Sequence, residues 1–334
     1  MMGIYPKNKT ILMILIIIIV CGLYIVPTIM EKAFKTYHTI SNSGDVSDER
    51  RPYAIIPAEE NIGKQAVKKT KHIDMFLKKP CPSYISSDTD IRYSQANQDV
   101  TVYKLLKLKN GYFIEIGGFD GKTWSNTMWL ERRHNWTGLI IEADPDNCDA
   151  IDKLGRNIWR LCSCLSSLDS KFFLKKGAEG SSYKYIPKEK VNTVDKSQVL
   201  FVPCFHISEI LKSIKQFRVN YFSLDVEGAE MEVLETMKKD LQLMTLVVDL
   251  WTIEYRVWDG HKIIKDKSID NLSKLRHFFQ EIGGYIEHSQ LSNTNDVTDG
   301  MALDVVFISV NAWCRTHETK PDGSKCNSTE MSFD

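Results

Sequence analysis

The sequence predicts an α/β fold, a mostly parallel sheet of seven strands with helices on both faces, behind an N-terminal transmembrane helix. Three observations carry that reading. Strand-like and helix-like segments alternate from about residue 95 onward. Runs such as "FSLDV" and "TLVVDL" are apolar at successive positions, as strands buried on both faces of a parallel sheet must be. Acidic residues follow these runs, at the strand ends where such sheets hold ligands.

The elements follow in chain order. "QANQDVTVYKLLKLK" is a helix with Val102, Leu105 and Leu106 at helical spacing. "YFIEIGG" is the first strand, "SNTMWLERRH" a helix, "TGLIIEADP" the second strand and "PDNCDAIDKLG" a helix. "NIWRLCSCLSS" reads as the third strand, "ISEILKSIKQF" as a helix, "VNYFSLDVEG" as the fourth strand and "AEMEVLETMKKDL" as a helix. "LMTLVVDLWTIEY" is the fifth strand. The helix "SIDNLSKLRHFFQEIG" is expected to bury Ile269, Leu272, Leu275, Phe278 and Phe279 on one face. "GYIEHSQ" and "LDVVFISVN" finish the sheet as strands six and seven.

Bulk properties narrow the partners. The 334 residues include 43 basic and 43 acidic side chains, so no global field favours nucleic acid. Ile11 to Ile29 is a run of 19 residues without a charge, about 28 Å long as a helix, which suits a retained membrane anchor better than a cleaved signal. Lys7 and Lys9 before it nearly balance Lys32 and Lys35 after it. The organisation expected is a short cytosolic tail (1–10), the anchor (11–29), a polar stem (30–80) with a basic run at Lys64 to Lys71, one globular domain (81–313) and a cysteine-containing tail (314–334).

Seven of the eight cysteines lie in the body, Cys81, Cys148, Cys162, Cys164, Cys204, Cys314 and Cys326, and with sequons at Asn135, Asn271 and Asn327 they suggest that the body faces the secretory lumen. Glycan is expected on Asn271 or Asn327, because Trp136 beside Asn135 should pack into the sheet. Cys162 and Cys164 lack the second pair that a structural zinc needs and read as two half-buried strand residues on one face. Cys314 and Cys326 flank a Pro-Asp-Gly turn and are expected to pair.

"EIGGFDG" is neither G-x-G-x-x-G nor a P-loop, and its Glu115 and Asp120 would repel phosphate. Acids beside a glycine turn suit a cationic ligand, with Gly117 and Gly118 letting the backbone approach it. Glu142, about one βα unit later, is placed to take ribose hydroxyls. A ribose and a cation without phosphate describe S-adenosylmethionine. The alternative is that Glu115 and Asp120 cap the following helix.

In consecutive order, "YSQANQD", "FIEIGGFDG", "SNTMWLE", "WTGLIIEADP" and "YFSLDVEGAEMEVLETM" resemble the FkbM-type methyltransferase family, from Tyr93 to about Val310. The resemblance implies a class I, Rossmann-like methyltransferase fold with S-adenosylmethionine at the first two strand ends. Glu115, Gly117, Asp120 and Gly121 then fall in the first motif, and Glu142 is the ribose acid. Asp225, Glu227 and Gly228 match "DVEGAE", and Glu254 matches an acid after strand five. Gly118 stands where relatives often carry alanine, which implies a harmless change.

Anchor, polar stem and lumenal-type body together resemble the membrane-anchored subgroup that includes animal protein Star, although no stretch of stem or tail carries a matching motif. That likeness implies escort of a membrane-tethered ligand precursor from endoplasmic reticulum to Golgi and endosome. The alternative is an S-adenosylmethionine-dependent O-methyltransferase acting on a glycan, lipid or other small hydroxyl. In it Asp225 is the candidate base or metal ligand with Glu227 beside it, though both acids could merely cap the next helix. No dedicated metal site is expected, and His206 and His261 read as surface residues.

Overall fold

The computed structural model describes residues 73–80, 90–167, 170–175, 183–186, 188–193, 195, 199–259 and 261–327. The expected anchor at 11–29, the stem to residue 72, the basic run and Cys81 lie outside the described residues.

The main sheet has eight strands, not the seven expected. In chain order these are β1 (Leu77–Lys78), β2 (Tyr112–Ile116), β3 (Thr137–Glu142), β4 (Trp159–Cys162), β9 (Arg218–Leu224), β10 (Val247–Glu254), β11 (Tyr285–Ser292) and β12 (Leu303–Ser309). Across the sheet they run β1-β4-β3-β2-β9-β10-β12-β11. The five strands from β4 to β10 are parallel to their neighbours, whereas β12 is antiparallel to both β10 and β11. The additional strand is β1, two residues paired antiparallel to β4 at the edge. The order reverses between β2 and β9, so a crevice opens beyond their carboxyl ends.

Both faces of this sheet are buried. Ile114, Leu139, Ile141, Phe222 and Leu224 enter one core cluster. The intervening Phe113, Ile140 and Tyr221 enter another on the opposite face. Alternate side chains of a strand point to opposite faces, so a strand buried on both must be apolar throughout. Helices α1 (Gln98–Leu106), α2 (Met128–His134), α3 (Pro145–Leu154), α4 (Ile207–Ile214), α5 (Glu230–Gln242), α6 (Lys265–Ile282) and α7 (Val310–Cys314) complete the main layers. On α6, Leu272, Leu275, Phe278 and Phe279 are buried as expected, but Ile269 is 48% exposed. At about 100° per residue, Ile269 points about 110° away from the centre of the stripe made by the other four.

"NIWRLCSCLSS" is not one strand. Cys162 ends β4, and Cys164–Leu165 forms β5 in a second sheet with β6 (Ser170–Lys175), β7 (Tyr183–Ile186) and β8 (Val199–Phe205), ordered β5-β8-β6-β7. Cys162 and Cys164 are therefore not half-buried neighbours on one face. Both are buried, and each has its own partner: Cys148–Cys162 ties α3 to β4, and Cys164–Cys204 links β5 to β8.

The expected Cys314–Cys326 disulfide is present. Its segment folds back on the domain, with Trp313 Nε1 donating to the Thr319 carbonyl and Thr316 Oγ1 to that of Leu105. Cross-linking residues 12 apart removes chain entropy from the unfolded state. The double variant Cys314→Ala with Cys326→Ala is expected to lose about 3 kcal/mol in denaturant unfolding. An unchanged midpoint would show that the tail packs without the bond.

Candidate functional site

The site lies at the carboxyl ends of β2, β3, β9 and β10. After Ile116 the chain turns through Gly117, at φ 80°, and Gly121, at φ 78°, both in the left-handed region that favours glycine. The Gly121 amide donates to the Gly118 carbonyl at 2.8 Å and closes the turn. A Cβ on Gly117 would fall 1.7 Å from the Asp225 carbonyl oxygen, so glycine lets β2 and β9 close together above the sheet. An alanine in place of Gly118 would bring its Cβ within 2.3 Å of Ile140 Cγ2. That methyl sits on a fully buried, β-branched side chain with little freedom to yield, so the exchange is not neutral here.

Two acids of the motif hold the loop. Asp120 Oδ1 accepts from the amides of Lys122 and Thr123 at 2.8 and 2.6 Å, and its Oδ2 accepts from Thr123 Oγ1 at 2.7 Å. Glu115 is 3% exposed and accepts from the Asn126 amide at 2.7 Å, Thr127 Oγ1 at 2.5 Å and Ser125 Oγ at 3.1 Å. Burial pushes its carboxyl up, while nearby Arg156 and these donors pull it down. Of the two roles the sequence leaves open for Glu115, its bonds satisfy that of fastening the lead-in to α2.

Arg156 is the residue that sequence reasoning missed. It is 3% exposed and donates from Nε to Glu131 at 2.6 Å, from Nη1 to the Gly121 carbonyl at 2.7 Å and from Nη2 to Thr127 Oγ1 at 3.1 Å. Its Nη1 also lies 3.8 Å from Glu115. One guanidinium thus serves two buried carboxylates and the last carbonyl of the glycine turn.

Glu142, the final residue of β3, is buried. Its Oε1 accepts from the amides of Ala143 and Asp144, and its Oε2 from that of Phe119, all at 2.9 Å. Burial pushes this carboxyl up to about 7, opposed by those three amides. Oε2 carries one bond where a carboxylate oxygen can take two, so it keeps an acceptor position for a hydroxyl. The glycine turn and that position fit an adenosyl ribose. The fit uses Gly117, Gly118, Gly121 and Glu142 more directly than Glu115. Beside the turn, Phe119 and Trp124, both at positive φ, stack with ring centroids 5.9 Å apart, and Trp124 is 54% exposed.

The second group of acids gathers beyond β9 and β10. Asp225, Glu227 and Glu254 each offer a carboxylate oxygen, and these oxygens all lie within 4.8 Å of one another. Arg256 faces two of the three: its Nε donates to Glu254 Oε1 at 2.8 Å, and its Nη2 to Glu227 at 3.1 and 3.2 Å. Asp225 is half-buried, and the surrounding protein pushes its carboxyl up to about 6, helped by the charge of Glu227. Glu230, the first residue of α5, accepts from the amides of Val226 and Gly228 and fastens the turn ahead of that helix, whose N-cap Ala229 has no side-chain cap bond. His261 is exposed, and His206 is the N-cap of α4.

A switch-point crevice with a glycine turn and carboxylates at successive strand ends defines a Rossmann-like ligand-binding domain. Residues 115–285, just over half of the chain, match the methyltransferase FkbM domain. The protein belongs to that family. No curated protein matches it significantly. Among solved structures it is similar to the methyltransferase FkbM from Methylobacillus flagellatus, at 11% identity and TM-score 0.38, covering 71% of this chain and 50% of that one. The chain thus spans half the length of that protein. It is also similar to the human methyltransferase 10 domain containing protein, at 11% identity and TM-score 0.34, with 64% and 81% of the two chains covered. A further likeness is to the Methanococcus jannaschii fibrillarin pre-rRNA processing protein, at 13% identity and TM-score 0.32, covering 61% and 68%.

Proposed function

We propose that this domain binds S-adenosylmethionine at the ends of β2 and β3 and methylates a hydroxyl of a glycan, lipid or other small acceptor. When bound, the cofactor supplies an electrophilic methyl group. The turn through Gly117, Gly118 and Gly121, where missing side chains make room for the Asp225 carbonyl, Ile140 and Ile151, would line the cofactor with backbone, and Glu142 would accept from its ribose. Asp225 would take the proton that the acceptor hydroxyl gives up. The observation that carries this reading is Asp225 itself. It is half-buried at the end of β9, its carbonyl against the glycine turn and its carboxylate grouped with those of Glu227 and Glu254, so a base stands next to the place proposed for the cofactor.

A second reading is favoured by the cysteines. Three disulfides among the described residues suit an oxidising compartment, and with the apolar run at 11–29 they support a single-pass secretory-pathway protein whose body is lumenal. In that setting a Star-like escort would meet a membrane-tethered ligand precursor in two dimensions and act through its surface. The likeness of the whole organisation, anchor, stem and lumenal-type body, to that subgroup is the support for this role.

Calorimetry of the full chain with S-adenosylmethionine separates the two. Saturable binding is expected, with Asp225→Asn retaining the affinity while losing transfer to hydroxyl acceptors. Glu142→Ala should weaken binding about tenfold to a hundredfold by removing a charge-assisted contact. No heat of binding to the wild type would overturn the methyltransferase reading. Export of a tethered ligand precursor that survives every pocket variant would then favour the escort.

A further inference from the structure

We propose that Asp225, Glu227 and Glu254 form a binding site for a hard divalent cation of the Mg²⁺, Mn²⁺ or Ca²⁺ class. Their offered oxygens lie within 4.8 Å of one another, a span that one ion can bridge. Oxygen donors alone, without imidazole or thiolate, select hard cations over zinc or copper.

An independent observation points to a missing partner. Glu254 is 3% exposed, and its Oε2 is buried without any hydrogen-bond partner. A buried carboxylate oxygen left unsatisfied is costly, because water has been stripped from it and nothing replaces it. Oε1 of the same group is already bonded to Arg256 Nε at 2.8 Å, so the guanidinium does not relieve Oε2. Asp225, the nearest competitor for the role, brings only another acceptor. Two carboxylates facing each other need either a shared proton or a cation between them.

Charge favours the cation. With all three carboxylates ionised, Arg256 offsets one of three negative charges and a divalent ion offsets the other two, which replaces the protons that burial favours on Glu254 and Asp225. The backbone is shaped to present the group: Glu227 has φ 56° and Gly228 φ 101°, so the chain reverses just after Asp225 and carries Glu227 back over the strand ends. A Cβ on Gly228 would meet nothing within 4 Å. Glu254 also lines a hollow of about 190 Å³ together with Gly228, Glu230, Asn271 and Lys274, which leaves room for the waters such an ion retains. If the methyltransferase reading is right, the cation, held by one oxygen of Asp225, would also hold the acceptor hydroxyl, and the other oxygen of Asp225 would be left to take its proton. Cation binding itself does not depend on that reading, and its test needs no turnover.

The full chain, stripped with chelator and dialysed, is titrated with Mn²⁺ and the free ion is followed by electron paramagnetic resonance. Mg²⁺ and Ca²⁺ are tested as competitors. One saturable Mn²⁺ per chain is expected. Glu254→Gln and Asp225→Asn should each weaken it about tenfold or more, since each removes a charged ligand. Asp270→Asn, on the exposed face of α6, should leave the affinity unchanged. Denaturant unfolding of each variant without metal checks that the fold is kept, and Glu254→Gln is expected to be no less stable than wild type. Two results would overturn the proposal. One is no saturable binding of any of the three ions at millimolar concentration, which would leave a proton shared by Asp225 and Glu254. The other is Mn²⁺ affinity unchanged in both folded variants.

Discussion

Replacing Arg156 by methionine is expected to lower the free energy of unfolding by about 3–5 kcal/mol, the usual cost of removing one partner from a buried ion pair. The guanidinium stands 2.6 Å from Glu131 and 3.8 Å from Glu115, and its side chain is 1% exposed. Methionine fills a similar volume but leaves two carboxylates facing protein instead of water. The Gly121 carbonyl and Thr127 Oγ1 lose donors at the same time. Denaturant titration decides it, and a loss below about 1 kcal/mol would show that the pair contributes little. Arg160→Met is the contrast. Arg160 also grips a carboxylate by two nitrogens, Asp152 at 3.0 and 2.6 Å, but that pair is partly exposed and Lys78 stays beside it at 3.0 Å. Its loss should cost about 1 kcal/mol. Arg156→Met should also loosen the glycine turn, so S-adenosylmethionine affinity is expected to fall although Arg156 is not placed to touch a ligand.

Arg156 also shows where sequence reading stops. Glu115 and Glu142 stand at strand ends that apolar runs make visible, so their places could be read from the chain. Arg156 is 41 residues from Glu115, in the link between α3 and β4, and neither spacing nor composition ties it to the glycine turn. Arg256 was within reach, two residues after Glu254, where a cation so close to a buried strand-end acid is a usable signal. The choice between ligand contact and structural bond could not be made for Glu115 and Asp120, because both roles ask for the same residue in the same turn. Among the elements, the long apolar strands and periodic helices were legible. The second sheet was not: its first strand, β5, is two residues long, and the chain leaves the main sheet between Cys162 and Cys164 without a Gly or Pro to mark the break. Ile269 failed for a different reason. Its spacing from Leu272 looks helical, but the stripe the other four residues make turns away from it.

Acidification from pH about 7.5 to about 5, with chelator present, is expected to stabilise the fold. Burial is the main cause that holds Glu142 and Glu230 up to about 7, against an ordinary value of 4.5. Asp304 is held up to about 7, against 3.8, by burial and then by the charge of Asp225. In the unfolded chain each of these groups ionises near its ordinary value, so between that value and about 7 the unfolded state has already released protons that the folded state keeps. Stability from these groups is therefore fully present at low pH and is lost as pH rises through 7. One carboxyl moved from 4.5 to about 7 contributes about 3 kcal/mol over that window. Three groups oppose this. Burial first, and then neighbouring side chains, hold His134 and His288 below the ordinary 6.5, so each takes back part of the gain as pH falls below that value. Arg160 and Lys78 hold Asp152 below its ordinary 3.8, so its contribution is lost only below about pH 4 and the fold should weaken again there. Denaturant midpoints across this range would show the rise. Asp304→Asn keeps an oxygen for the 2.8 Å bond from Gln98 Nε2 but cannot ionise, so it should flatten the dependence without unfolding the domain. A stability that stays level or increases between pH 5 and 7.5 would mean that these carboxyls ionise freely inside the fold, with water reaching them at the crevice.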